Sequence, residues 1–124
     1  MALQEYAGAV VLEVDGKEVE VIDVSISART GRKLVKTMNR TGRAKGFARG
    51  IAEYELSATV AVPLTGDIDW EKIEGSKLTI YPLSPGGKRE SYVDCFTTDV
   101  GDKYTVDSEA RRDIKLQALR KVIE

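Results

Sequence analysis

Three groups of residues in this chain carry side chains of the kinds that chemistry uses. Asp67, Asp69 and Glu71 alternate along a short stretch and could offer hard oxygen ligands to a cation. They lack the spacing of a calcium loop and its closing glutamate, and acids at the start of a short helix suit its positive end. Ser84-Pro85-Gly86-Gly87-Lys88 approaches a phosphate-cradling loop in composition only. The full glycine-to-lysine spacing and the following helix are missing, which leaves a plain turn. Cys95 is the single thiol, and the chain has no histidine. That removes the commonest general base, the usual Ser or Cys triad, and a Cys/His zinc site. A lone cysteine cannot close an intrachain disulfide, and among Tyr92, Val93 and Phe96 it reads as a small buried hydrophobe. No set of residues forms a catalytic constellation, so the expectation is a non-enzyme with no cofactor and no metal.

The remaining chemistry is electrostatic. Residues 29–50 hold eight Lys or Arg and no Asp or Glu, in a chain with 19 basic and 20 acidic residues overall. The rest of the molecule therefore carries 11 basic against 20 acidic groups, and a formal net charge of −1 conceals a polarised chain. Glycines at 31, 42, 46 and 50 interrupt helix and strand patterns alike, which predicts a long, largely irregular basic arm. Its cations are Arg29, Arg32, Lys33, Lys36, Arg40, Arg43, Lys45 and Arg49, with Leu34, Val35, Met38 and Phe47 among them. Three readings stand: a solvated loop, an arm ordered against a neighbouring copy, or a nucleic-acid contact. A single aromatic, Phe47, offers little for bases to stack on, whereas four apolar groups among charges suit burial against a protein partner.

The elements flanking the arm are strands. Residues 8–15 alternate, with Val10, Leu12 and Val14 on one face, and Asp15-Gly16 is a strong hairpin signal. The return strand, 17–27, begins with Val19 and Val21 and then shifts parity to Ile22, Val24 and Ile26, which predicts a bulge near Val21 and Ile22. Between 51 and 63, Tyr54, Leu56, Ala58, Val60 and Val62 line one face and Glu53, Glu55, Ser57 and Thr59 the other. Residues 68–74 fit a helix of two turns anchored by Trp70 and stopped at Gly75. Strands follow at 77–83 and 90–100, Gly101-Asp102 turns, and a further strand covers 103–107. The last segment has helix-forming composition, but Ile114, Leu116 and Ala118 keep strand parity, which favours a strand over 112–119. The sum is a single mainly β domain over residues 1–124, an antiparallel sandwich or partly open barrel with one short flanking helix. The longest apolar run, Ala9 to Leu12, is far below the roughly 20 residues that cross a bilayer, and no leader pattern opens the chain. The expectation is a protein that stays where it is made or leaves with an assembly or by lysis, without a membrane partner.

In the order and character of these elements the chain resembles the tail tube proteins of bacteriophages, and more distantly the tubes of type VI secretion systems. The residues that carry this are VVLEVDGKEVEVIDVSIS, the arm after it, EYELSATVAVP, DWEKI, and the closing YVDCFTTDVGDKYTVDSEARRDIKLQAL. The resemblance implies a two-layered β fold and hexameric rings stacked into a hollow tube that conducts DNA. It also implies a virion protein made in the host cytoplasm, partnered by itself and other tail proteins. The arm then becomes the contact to an adjacent ring or subunit. An acidic lumen would draw on Asp23, Ser25, Ser27, Glu53, Glu55, Ser57 and Thr59, because a wall that repels phosphate lets DNA slide. A nucleic-acid-binding small barrel, and a tail completion or baseplate component of the same fold, are the alternatives.

Overall fold

The computed structural model describes residues 3–83 and 86–123. Ten strands make up nearly all of its regular structure: β1 (Val10–Val14), β2 (Lys17–Val19), β3 (Val21–Arg29), β4 (Lys33–Val35), β5 (Gly46–Ala48), β6 (Glu53–Ala61), β7 (Glu74–Pro82), β8 (Glu90–Lys103), β9 (Arg111–Ala118) and β10 (Arg120–Ile123). Eight form one antiparallel sheet, β2-β1-β7-β8-β9-β6-β3 with β10 also on β8, while β4 and β5 pair only with each other. The sheet curls into a half-barrel, the partly open form of the expected mainly β fold.

Its closure begins at the first hairpin. Asp15 and Gly16 both have positive φ, 51° and 85°, as a type I′ turn requires. The Asp15 carboxylate accepts the Lys77 amide at 3.0 Å, fixing the hairpin to β7. Only Glu20 separates β2 from β3, yet β2 pairs with β1 at one margin of the sheet and β3 with β6 at the other. One nearly continuous run thus leaves one edge and enters the opposite one, and the Glu20 carbonyl accepts the Ala61 amide at 3.1 Å at that corner. The expected bulge lies there, between Val21 and Asp23. It brings Val21, Val24 and Ile26 against the core, and it turns Ile22 outward at 45% exposure, against the sequence expectation.

The core fills the curl with Leu12, Val14, Leu56, Val60, Leu78, Tyr92, Ile114 and Leu116, all buried. Its lid is Trp70, 2% exposed, carried on a 3-10 turn (Trp70–Lys72). This turn is shorter than the helix expected over 68–74. Glu74 already belongs to β7, and Gly75, at φ 81°, sits in an irregularity of the β7–β8 ladder instead of ending a helix. The expected turn at Gly101-Asp102 is also absent: these residues continue β8 opposite Asp113 and Arg112 of β9, and residues 104–110 make the reversal. The closing segment is strand, as parity required, over Arg111–Ala118 and on into β10.

Candidate functional site

The residues that might have supplied chemistry are spent on structure. Asp67 accepts one guanidinium nitrogen of Arg112 at 2.6 Å and Asp102 accepts another at 2.6 Å, so a bridge of two carboxylates and one arginine ties the 63–69 loop to β8 and β9. Both hydrogen bonds push the Arg112 pKa further up, keeping its charge fixed. Asp69 stands at the start of the 3-10 turn with Glu71 in its first turn, as expected of acids there, but the Asp69 side chain caps no amide and makes an exposed pair with Lys72 at 3.6 Å. Of the expected turn around Ser84 and Pro85, those two residues lie outside the described residues.

Cys95 is fully buried and its Sγ donates to the Tyr92 carbonyl at 3.1 Å. Burial pushes the thiol from 9.0 up to about 11. Burial, followed by the nearby Glu90 charge, pushes the Tyr92 hydroxyl up to about 12. At pH 8 the folded thiol is therefore almost wholly protonated, and alkylation by iodoacetamide is expected to run about 100-fold slower than in the urea-unfolded chain. Both folded pKa values are raised. The stabilisation by the neutral thiol is thus complete below its ordinary value of 9.0 and lost as pH climbs through about 11, and that by the neutral Tyr92 hydroxyl is complete below 10.0 and lost as pH climbs through about 12. The urea midpoint should fall between about pH 9 and 12, and a midpoint that rises over that range would contradict the burial of both groups.

The arm is more ordered than its glycines suggest. Lys33, Leu34 and Val35 pair with Ala48, Phe47 and Gly46, making a two-stranded ribbon where an irregular loop was expected. At its neck the two chains nearly touch: a Cβ on Gly31 (φ 78°) would meet the Ile51 carbonyl at 2.3 Å, and one on Gly50 would meet the Gly31 carbonyl at 2.5 Å. Only glycine permits that crossing. At the tip Asn39 holds the bend, donating from Nδ2 to the Arg43 carbonyl at 2.8 Å and accepting the Thr41 amide at 3.0 Å. Arg29, Arg32, Lys33, Lys36, Arg40, Arg43, Lys45 and Arg49 are all exposed, and none makes an ion pair with a described residue. Leu34 is 66% exposed, Phe47 57%, and Val35 and Met38 are also exposed. The Arg49 guanidinium lies 5.5 Å from the Phe47 ring centre, covering one face of the arm's single aromatic.

The second sequence-derived group sits on the outer face of β3 and β6. Asp23 faces Thr59, Ser25 faces Ser57, Ser27 faces Glu55 and Arg29 faces Glu53, so all seven residues share one wall. Strand β9 extends that wall with Arg111, Asp113, Lys115 and Gln117, and β8 adds Asp99 and Lys103. Thr59 donates to Asp113 at 2.8 Å. With β9 and β8 included the wall is mixed in charge, because Lys115 and Arg111 stand among the acids; sequence reasoning missed them because the pairing partner of β6 lies far along the chain.

The curled antiparallel half-barrel with its two-stranded ribbon superposes on solved structures of tail tubes and contractile injection systems. The sheath/tube terminator of PVC, an extracellular contractile injection system, superposes with a TM-score of 0.76 at 15% identity over 99% of this chain and 99% of its own. The tube-terminating cap of the anti-feeding prophage gives 0.73 at 15% identity, covering 100% and 94%. The tail tube of SPP1 gives 0.68 at 10% identity, covering 93% and 74%. No protein-family model matches the sequence, and no curated protein sequence matches it. The chain has a tail tube-like fold over 93–100% of its length, the fold that the order of its elements resembled.

Proposed function

We propose that this chain is a structural subunit of a phage-type tail tube, not an enzyme, which stacks as hexameric rings around a channel that DNA crosses without specific binding. In this reading it is a virion component, made in the host cytoplasm, whose partners are its own copies and other tail proteins. The ribbon spanning 29–50 contacts the adjacent copy, and the wall holding Asp23, Ser25, Ser27, Glu53, Glu55, Ser57 and Thr59 faces the channel. The observation that carries the reading is the ribbon: it folds apart from the barrel, and its eight cations make no ion pair with a described residue, on an otherwise acidic chain. Its apolar groups gain burial only when another surface arrives, at about 25 cal/mol per Å² less the ordering cost. A wall of mixed charge also fits passage, because it holds no dense row of cations from which phosphates would release counterions.

A second reading, a tail terminator or completion component, is supported by the TM-scores: 0.76 and 0.73 for the two terminating proteins, against 0.68 for the SPP1 tube and 0.66 for the PVC sheath-tube complex. Negative-stain electron microscopy of the concentrated protein separates the two. Tubes of uniform width and growing length support the tube subunit, single rings that do not stack support the terminator, and a strict monomer at high concentration removes both. A nucleic-acid module predicts instead a steep salt dependence in gel shifts.

A further inference from the structure

The half-barrel has an apolar groove at the end opposite the ribbon. Its floor is Val19, Val62 and Ile68, all half-buried, with Trp70 beneath, and it encloses about 360 Å³ between β2 and the loop after β6. Four charged groups stand at the rim. Lys17 is turned to the Gly66 carbonyl at 2.7 Å and Asp67 is held by Arg112 at 2.6 Å. The other two, Glu18 and Glu20, are exposed and pair with no described residue. The result is an oily slot whose lining residues carry one cation against three carboxylates, with Glu18 beside Glu13 on the far face of β2 from Val19.

The ribbon is the complement of that slot. Its tip region presents Met38, fully exposed, between Lys36 and Arg40, with Arg43 just across the bend. An unbranched thioether fills irregular apolar space well, and flanking cations match flanking acids. Position decides whose ribbon it can be. The ribbon springs from the Arg29–Glu53 end of the β3–β6 pair, whereas the groove lies beyond its Val21–Val60 end. The eight residue steps of β3 between them span about 26 Å, and the ribbon projects from the far end. A chain cannot seat its own ribbon in its own groove.

We infer that the groove between β2 and the loop after β6 receives Met38 and its flanking cations from a second copy of this chain, a head-to-tail contact. This rests on the assembly reading above and adds to it the receiving surface. Such a contact is heterologous, pairing unlike surfaces, and so it propagates instead of closing on itself as a two-fold pair does.

The test uses two single-cysteine additions at exposed positions, Met38→Cys in one preparation and Thr65→Cys, on the groove loop, in another, mixed in equal amounts with a short bis-maleimide. Cys95 is buried and stays silent. The expected result is a mixed adduct about tenfold above that from a control pair, Met38→Cys with Ser25→Cys on the outer wall. Adding Glu18→Lys and Glu20→Lys to the Thr65→Cys chain should reduce the adduct about tenfold, and Arg40→Glu with Arg43→Glu on the Met38→Cys chain should restore it. An adduct no stronger than the control overturns the inference. Microscopy of the unaltered protein separates the two failures: tubes without the adduct overturn the groove alone, and neither tubes nor adduct overturns both. The adduct without tubes upholds the contact and removes the tube reading.

Discussion

Excising residues 32–49 and joining Gly31 to Gly50 through Asn-Gly leaves the barrel folded and abolishes assembly. The neck makes the excision feasible, because the Gly31 and Gly50–Ile51 backbones already lie within van der Waals contact. A two-residue connection can therefore close β3 and β6 as an ordinary hairpin. The ribbon pairs with no strand of the main sheet, so nothing in the core is lost. Shortening the loop from about 20 to about 6 residues lowers its closure cost by about 1 kcal/mol, so the thermal midpoint should hold or rise slightly. If the proposed assembly holds, sedimentation and microscopy should meanwhile show no tubes at concentrations where the intact chain forms them. A variant that loses several kcal/mol would show that the ribbon packs on its own barrel, and one that still builds tubes would remove the ribbon from the assembly.

Trp70→Ala has the opposite signature, with the ribbon and outer wall untouched and stability sharply reduced. Trp70 is 2% exposed and closes the core from a turn of only three residues, too short to hold itself. Truncating a buried tryptophan costs about 3–5 kcal/mol, a large share of the roughly 5–15 kcal/mol that a domain of this size has in total. Thermal unfolding should move down by about 10–20 °C. Trp70→Phe should recover most of that, because an aromatic ring still fills the space. A shift of one or two degrees for the alanine variant would mean that the turn swings out and the core closes without it. The Arg112 bridge to Asp67 and Asp102 holds the neighbouring loop in both variants.

Much of the barrel was legible because period two is a strong signal wherever one face is dry. Tyr54, Leu56, Ala58 and Val60 mark β6 unambiguously, and Asp15-Gly16 marks the turn between β1 and β2. The parity break in β3 located the bulge to within a residue, but it could not say that Ile22 rather than Val21 would be left outside; that depends on which side faces the core after the corner. Gly101-Asp102 looked like a turn because local rules cannot see Arg112, whose hydrogen bond to Asp102 helps keep β8 extended. Gly75 looked like a helix stop for the same reason: its positive φ is equally at home in an irregular strand pair. The ribbon's pairing was hidden by its glycines, and its charge was not. The groove was illegible, because Val19, Val62 and Ile68 come from three separate parts of the chain and meet only once the corner at Glu20 has formed.

That corner gives the molecule a top and a bottom. Because β2 hands over directly to β3, the first hairpin and the limb after it are forced to opposite poles of the barrel. A polymer built pole to pole has arrow-like polarity, with one extremity bristling and the other pitted. Elongation and arrest are then separate chemical events at unlike faces. A copy lacking its limb could be taken up at the bristling extremity, but it would leave nothing there for the next arrival to grip.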